Sequence, residues 1–202
     1  MSDLPTAAFY EEHAAELFER YESIDSRIVD YFAVSFPSAA SIIDVGAGSG
    51  RDLKALLAMG YDAYGIEPSD QLRELAIAKF PRLEDRLFYG ALPSIRHSVV
   101  YDGVLCSAVF MHIPQADQVE ALICLRNLLK PGGRLLMSIP SSRPDIGNDQ
   151  RDPDGRLFEV VKPEHLQLLA ARLGLMLINR FDNADSLGRT GIEWTTLLFE
   201  RQ

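Results

Sequence analysis

The sequence predicts an α/β domain whose sheet is mixed: parallel across most of its width and closed by an antiparallel hairpin. Three observations carry this. From residue 41 onward short β-rich runs alternate with helical patterns, the arrangement of a parallel sheet covered on both faces. Ile42, Ile43 and Val45, then Val99, Val100, Val104 and Leu105, are near-continuous apolar runs suited to strands buried on two sides. After Gly174, LMLINRF and IEWTTLLFE are separated by a short segment containing NADSLGRTG, too short for a crossover helix, so those two strands run antiparallel.

Taken in order, residues 1–38 form an amino-terminal helical cap, with helices expected from Thr6 to Arg20 and from Ile24 to Phe36, placed to lie over the sheet's carboxyl edge. Strand SIIDV is followed by helix DLKALLAMG, whose Leu53, Leu56 and Leu57 share one face. Strand YDAYGIE, helix SDQLRELAIAKF and strand RLFY come next, then strand VVYDGVLCS. A helix over QADQVEALICLRNLLK leads through a turn at Pro131, Gly132 and Gly133 into strand RLLMSIP. Residues 140–161 are rich in Pro, Gly, Asn and Asp and read as a surface loop or lid beside the ligand crevice. Residues 162–202 hold a helix, with Leu166, Leu169, Ala170 and Leu173 on one face, and the terminal hairpin.

Composition narrows the function. With 202 residues, 47% of them apolar, the chain suits one domain with a full core. Its 29 acidic against 20 basic side chains give a net charge of −9, which argues against a nucleic acid or membrane-surface partner and toward a small molecule. Cys106 and Cys124 are too few for a disulfide framework and lack the spacing of a zinc site, so no metal is expected. The start MSDLPTAAFYEEH has no leader pattern, and the longest apolar run, Gly103 to Met111, is short of a bilayer span; a cytoplasmic location is expected. Oligomeric state is not legible.

The most informative stretch is DVGAGSGRD, Asp44 to Asp52, between a strand and a helix. Gly46, Gly48 and Gly50 allow a sharp turn and close approach of backbone to a ligand. Glu67 ends the second strand, 17 residues after Gly50, where a carboxylate can accept both hydroxyls of a ribose. A dinucleotide fingerprint would place its third glycine at position 51, which is Arg51. The observed G-x-G-x-G, with Asp44 two residues before it, resembles motif I of the class I S-adenosylmethionine-dependent methyltransferases. IEPS at Glu67, Pro68 and Ser69, YDGVLCSAVFMHI and LLKPGGRLLMSIP are similar to further motifs of that family in the same order, so residues 40–140 read as its cofactor-binding core.

The resemblance implies a three-layer, Rossmann-like, seven-stranded sheet with S-adenosylmethionine as cofactor. By it, Gly46, Ala47 and Gly48 pass beneath the methionine and ribose moieties, and Glu67 binds the ribose diol. Ala91 and Leu92, in FYGALPSI, fall where the family contacts adenine, while Ser107, Ala108, Val109 and Phe110 face the methionine end. Where many members carry an Asp for the adenine amino group this chain has Gly90 and Ala91, leaving backbone contacts or Asp85 to serve.

Other residues have two readings. Asp44 is expected to hold the loop through backbone N–H groups; Arg51 either pairs the methionine carboxylate or is solvated. Tyr10, Tyr21, Phe110 and Trp194 are candidates to flank a sulfonium, with core packing as the alternative. His112 is the one candidate base, the alternative being a ring hydrogen-bonded to backbone; His13, His97 and His165 read as surface residues, Cys106 as buried. Arg143, Arg151, Arg156 and Arg189 either pair an anionic acceptor or are solvated. The expected function is methyl transfer to a small-molecule acceptor. A non-catalytic S-adenosylmethionine or S-adenosylhomocysteine sensor is the alternative. Arg51 and the closing hairpin disfavour a nicotinamide-dependent oxidoreductase, and the absence of a basic stripe disfavours an RNA methyltransferase.

Overall fold

A computed structural model describes residues 3–95, 98–159 and 161–202; His97 lies outside them. Seven strands form one sheet: β1 (Ser41–Val45), β2 (Asp62–Glu67), β3 (Leu87–Tyr89), β4 (Tyr101–Ser107), β5 (Leu129–Ser142), β6 (Leu175–Ala184) and β7 (Glu193–Arg201), in the order β3-β2-β1-β4-β5-β7-β6. The first five are parallel; β7 inserts antiparallel between β5 and β6, as the short connection requires. Strand order reverses between β1 and β4. A crevice therefore opens at their carboxyl ends, the place where open α/β sheets bind ligands.

Both faces are covered, and the strands alternate between two cores. Ile43, Val45, Val104, Cys106, Leu135 and Met137 pack beneath α6 (Gln118–Asn127) and α7 (Pro163–Arg172). Ile42, Leu105, Leu136 and Leu198 face the opposite layer, α4 (Arg51–Ala58) and α5 (Asp70–Lys79), with Phe18, Phe32 and Phe36 from the cap. Each such fully buried side chain contributes about 1.5–3 kcal/mol of transfer free energy, which is why central strands carry apolar residues at consecutive positions.

Several expected boundaries move. The first cap helix divides at His13 into α1 (Leu4–Glu12) and α2 (Ala14–Glu22). Ile24 to Phe36 is not one helix but a 3-10 segment, Arg27–Tyr31, and a single turn, α3 (Phe32–Ser35), because three buried anchors, Ile28, Phe32 and Phe36, dictate the path. Val99 and Val100 precede β4 and are half exposed, so they do not join the buried run. The expected helix to Lys130 stops at Asn127, and β5 begins at Leu129; Pro131 to Gly133 form an irregularity inside the strand, where the register with β4 jumps from Tyr101↔Leu129 to Gly103↔Arg134.

The stretch after β5 is less polar in its packing than its composition suggested. Leu157, Phe158 and Val161 are buried, the Leu157 N–H donates to Thr6 Oγ1 (2.8 Å) and the Glu159 N–H to the Met111 carbonyl (2.8 Å). Arg151 pairs with Asp3, the N-cap of α1, at 2.8 and 3.1 Å. This segment is thereby fastened to the cap and to the turn after β4.

Candidate active site

A cavity of about 290 Å³ opens at the carboxyl ends of β1, β2 and β4, and the cap, the 143–159 segment and the β6–β7 loop contribute to its walls. Its floor is the glycine bend. Gly46 (φ +79°) and Gly48 (φ +54°) adopt backbone that L side chains resist, and a Cβ on Gly46 would lie 2.3 Å from Val109 Cγ2. The N–H groups of Gly46 and Ala47 both donate to the Ile66 carbonyl (2.7 and 3.0 Å), tying the bend to β2. Gly50, at the N-cap of α4, lies off the cavity; a Cβ there would meet Leu83 Cδ1 at 2.8 Å, so its role is packing.

Two carboxylates face this bend. Glu67 is 5% exposed and accepts from the Gly48 N–H (2.8 Å) and the Ser69 N–H (2.9 Å). Burial raises its pKa to about 7 against the opposing pull of those two bonds. Asp44 is buried too, and burial together with the charges of Asp52 and Glu67 pushes its pKa well up. Its Oδ2 is buried without a hydrogen-bond partner among the described residues. That corrects the expectation that Asp44 clasps the loop: Ile66 and Glu67 do so instead.

Pro68, Ala91 and Leu92 line the cavity beyond Glu67, whereas Asp85 is exposed and outside it. Backbone at Gly90 and Ala91, not a side-chain carboxylate, is thus what this wall presents. After β4 the chain turns at Ala108 (φ +56°), whose N–H donates to the Ser138 carbonyl and Oγ, both 3.1 Å away. Ser107, Ala108 and Val109 line the cavity; Phe110 is fully buried in the core beneath it and does not.

Arg51 lies at the wall with its Nε and Nη1 held by the protein. Its Nε donates to Asp52 (3.1 Å) and its Nη1 to the carbonyls of Tyr21 and Ile24, both at 3.3 Å. It joins the cap to the glycine bend. Two acids do the same work unannounced by the motif: Glu22 accepts from Ser49 Oγ (2.9 Å) and pairs with Lys54, and Glu11 accepts from Ser69 Oγ (2.7 Å).

Tyr10, His112, Phe158 and Trp194 line the same cavity, while Tyr21 lies over the glycine bend, its ring 3.7 Å from where a Gly48 Cβ would stand. His112 is 2% exposed, and its Nδ1 lies 2.6 Å from the Leu157 carbonyl, which can only accept. Nδ1 therefore carries the proton. Burial lowers the imidazole pKa to about 4, so Nε2 is an unprotonated acceptor, and the Tyr10 hydroxyl, 3.0 Å away, donates to it. Burial raises the Tyr10 and Tyr21 phenols, keeping both neutral. Cys106 is fully buried with its thiol pushed up, which removes it as a nucleophile.

Three of the four candidate arginines reach this chamber: Arg143, Arg156 and Arg189 line it, while Arg151 is turned away onto Asp3. Trp194 donates its indole N–H to Asp185 (3.0 Å), the partner of Arg189. Phe158, Asp152 and Asp185 were not singled out from sequence, because nothing in a polar loop distinguishes the one aromatic or acid that folds inward. Among the described residues no helix is long and apolar enough to cross a membrane.

These residues fit the donor that the sequence resemblance implies. A bend without side chains gives it room; Glu67 offers remaining lone pairs for hydroxyl donors; the unpartnered Asp44 Oδ2 awaits an N–H donor such as an ammonium.

Comparison with known proteins agrees. Residues 10–180 match the methyltransferase domain family. A methyltransferase of Alkaliphilus oremlandii (strain OhILAs), itself described as uncharacterised, is 28% identical over 160 residues, 76% of this chain and 72% of that protein. The chain spans little more than half the length of several further curated relatives it matches. Among solved structures, a TehB-like methyltransferase from Corynebacterium glutamicum superposes with a TM-score of 0.70 at 22% identity, over 96% of this chain and 99% of that one. The Burkholderia thailandensis 1,6-didemethyltoxoflavin-N1-methyltransferase, solved with 1,6-didemethyltoxoflavin and S-adenosylhomocysteine bound, gives 0.65 at 17% identity, over 97% and 79%. At such identities the structures speak for the fold alone. Because the family match runs from the cap to the first strand of the closing hairpin, the chain belongs to the class I S-adenosylmethionine-dependent methyltransferases, with S-adenosylmethionine as cofactor.

Proposed function

We propose that this chain transfers a methyl group to a small molecule held in the chamber of Tyr10, His112 and Trp194. The observation that carries this reading is continuity: one cavity is lined both by the glycine bend with Glu67 and by the residues of that chamber. S-adenosylmethionine, when bound, supplies an electrophilic methyl group on a sulfonium. Glu67 accepts from the ribose hydroxyls, Asp44 Oδ2 from the ammonium, and Gly90, Ala91 and Leu92 face adenine.

The chain's remaining work is positional. Holding donor and acceptor in a near-attack pose is worth about 7–11 kcal/mol, and the 143–159 segment, pinned to Thr6 and Asp3, acts as the lid that keeps water out. Aromatic faces at Tyr10 and Tyr21 add about 0.5–2 kcal/mol each for a neighbouring cation. Among the described residues of the chamber no strong base stands beside the acceptor. With a pKa of about 4 and Arg143 and Arg156 beside it, His112 is too weak an acceptor of protons at neutral pH to activate a hydroxyl. It instead orients Tyr10 as a positioning residue, so the acceptor arrives already nucleophilic, as an unprotonated amine, a thiolate or a similar group.

A small acceptor suits a cavity of about 290 Å³ in a chain of net charge −9 better than a nucleic acid. Calorimetry with S-adenosylhomocysteine and label transfer from S-adenosylmethionine across a metabolite panel test the reading together. Saturable heat and labelled product are expected. Heat without transfer to any acceptor would leave a sensor, and heat with NAD alone would overturn the donor assignment.

A further inference from the structure

The acceptor end of the cavity is built around two copies of one local device. Asp152 to Arg156 reads D-P-D-G-R and Asp185 to Arg189 reads D-S-L-G-R; one lies in the 143–159 segment, the other between β6 and β7. Both fold alike. In each the glycine has positive φ (Gly155 +81°, Gly188 +68°) and donates its N–H to the carbonyl of the leading Asp, at 2.9 and 3.1 Å. In each the Asp carboxylate accepts the N–H two residues on (3.1 and 3.0 Å) and the arginine's own N–H (2.9 and 3.1 Å). Each carboxylate then takes Nε and Nη2 of that arginine, at 2.9 and 2.6 Å for Arg156 and at 3.0 and 2.7 Å for Arg189.

The carboxylates are the hidden partners, with side chains 2% and 3% exposed, while the side chains of Arg156 and Arg189 are 12% and 40% exposed. A third arginine repeats the geometry from another direction. Arg143 gives Nε and Nη2 to Asp145, both at 2.8 Å. Arg143 and Arg156 sit over the same ring, 3.9 and 5.4 Å from the centroid of Phe158. All three spend the Nε–Nη2 edge on a carboxylate; among the described residues Nη1 of Arg143 and of Arg189 makes no hydrogen bond, and Arg156 lies beside the Tyr10 hydroxyl. Each guanidinium is balanced by its own carboxylate, so what the three offer the cavity is a set of oriented charged N–H donors rather than an excess of positive charge. Their rotamers are already set by the turns, so an incoming oxyanion would lose little to ordering them.

We propose that the methyl acceptor is a small organic anion, a carboxylate or a phosphate, held by the Nη1 edges of Arg143, Arg156 and Arg189. This deepens the methyltransferase reading and rests on it. The paired D-x-x-G-R turns make the clamp two-sided, one arm on the segment over the cap and one on the terminal hairpin, so the anion also bridges those two loops. Phe158 supplies the flat apolar wall between the cations.

The test loads the protein with S-adenosylhomocysteine and titrates in benzoate, indole-3-acetate and malonate, each beside its amide, and inorganic phosphate. Calorimetry reads binding, and emission of Trp194, the single tryptophan and a partner of Asp185, reports which end of the cavity is occupied. At least one anion should bind saturably and move Trp194 emission, at least tenfold more tightly than its amide where it has one; carboxylates above phosphate would make the anion a carboxylate, and the reverse a phosphate. Arg189→Gln and Arg156→Gln should each weaken that anion about 10- to 100-fold, the scale of one charge-assisted bond, with S-adenosylhomocysteine affinity unchanged. Arg189 is the more exposed of the two, so its variant decides the matter if Arg156→Gln fails to fold. Normal S-adenosylhomocysteine binding with no anion bound, with acids and amides bound alike, or with an affinity indifferent to Arg189→Gln overturns the clamp and leaves the methyltransferase reading standing. Loss of S-adenosylhomocysteine binding by the unaltered protein would instead overturn the reading beneath it.

Discussion

The two ends of the cavity are built in opposite ways. The end assigned to the donor is made by short segments that follow β1, β2 and β4, with backbone as its main material: Gly46 and Gly48 at positive φ, and Glu67 fixed by two N–H groups. The acceptor end is made of long side chains from four separate places. Tyr10 comes from α1, His112 from the turn after β4, Arg143 and Arg156 from the segment after β5, and Arg189 from the terminal hairpin. The lesson is that the part of the cavity assigned to the donor takes its shape from geometry the strand ends impose, whereas the part assigned to the acceptor depends on loops that can change independently.

That contrast breaks most sharply at the glycines. Gly46→Ala is expected to abolish S-adenosylhomocysteine binding and to cost about 3 kcal/mol or more of stability, from a strained φ plus a 2.3 Å clash with Val109; a fall of about 6–12 °C in the thermal midpoint would show it. Gly48→Ala meets nothing nearer than the Tyr21 ring at 3.7 Å, so it should lower donor affinity with a much smaller loss of stability. Equal effects of the two on stability would remove the distinction between a packed and an open glycine.

Glu67→Gln comes next, with donor affinity down about 10- to 100-fold at pH 8. The sign of the pH dependence follows from its raised pKa. Donor affinity of the unaltered protein should climb as pH rises to about 7 and flatten above, because the ionised carboxylate is the better acceptor for hydroxyls. Stability of the free protein should move the other way, falling by up to about 3 kcal/mol between pH 4.5 and 7 as a proton bound more tightly by the folded state is lost. In Glu67→Gln this site's contribution to both dependences should disappear.

Tyr10→Phe probes the other end. It strips His112 Nε2 of its donor and should cost about 1–3 kcal/mol of stability, slow transfer several-fold and leave S-adenosylhomocysteine affinity alone; a lost donor affinity would mean the ends are not separable. The smallest effect belongs to Asp3→Asn, which loosens the clasp on Arg151 and should cost about 1 kcal/mol. Arg151 lowers the Asp3 pKa to about 2, so the stabilisation is complete above the ordinary carboxylate range and is lost as pH falls from about 4 toward 2. Faster amide exchange across residues 143–159 is the readout.

Much of the fold was legible because apolar periodicity and connection length are local. The mixed sheet and its antiparallel close were implied by alternation and by the ten residues between the last two strand-like runs. Misplaced boundaries trace to single local signals read alone. Val99 and Val100 are β-branched but have no partner strand, and Pro131 to Gly133 look like a turn but are carried inside β5 by pairing on either side. Within the site, the glycine bend and Glu67 were visible as a motif. Phe110 was misassigned because an aromatic beside a ligand loop and an aromatic beneath it have the same sequence context. The repeated D-x-x-G-R spacing was present in the letters, yet only the fold shows that residues 152–156 and 185–189 meet across one cavity.

What the sequence determined by itself is therefore the sheet and the glycine bend with Glu67 beside it, since strand period, glycine conformation and a carboxylate at a strand terminus are properties of short stretches of chain. The tertiary structure alone decided which proton His112 carries, which arginines face the chamber and which are spent on Asp3 or on the cap. Those outcomes depend on contacts between residues up to 148 positions apart, and no local preference encodes the partner that a long polar side chain will find.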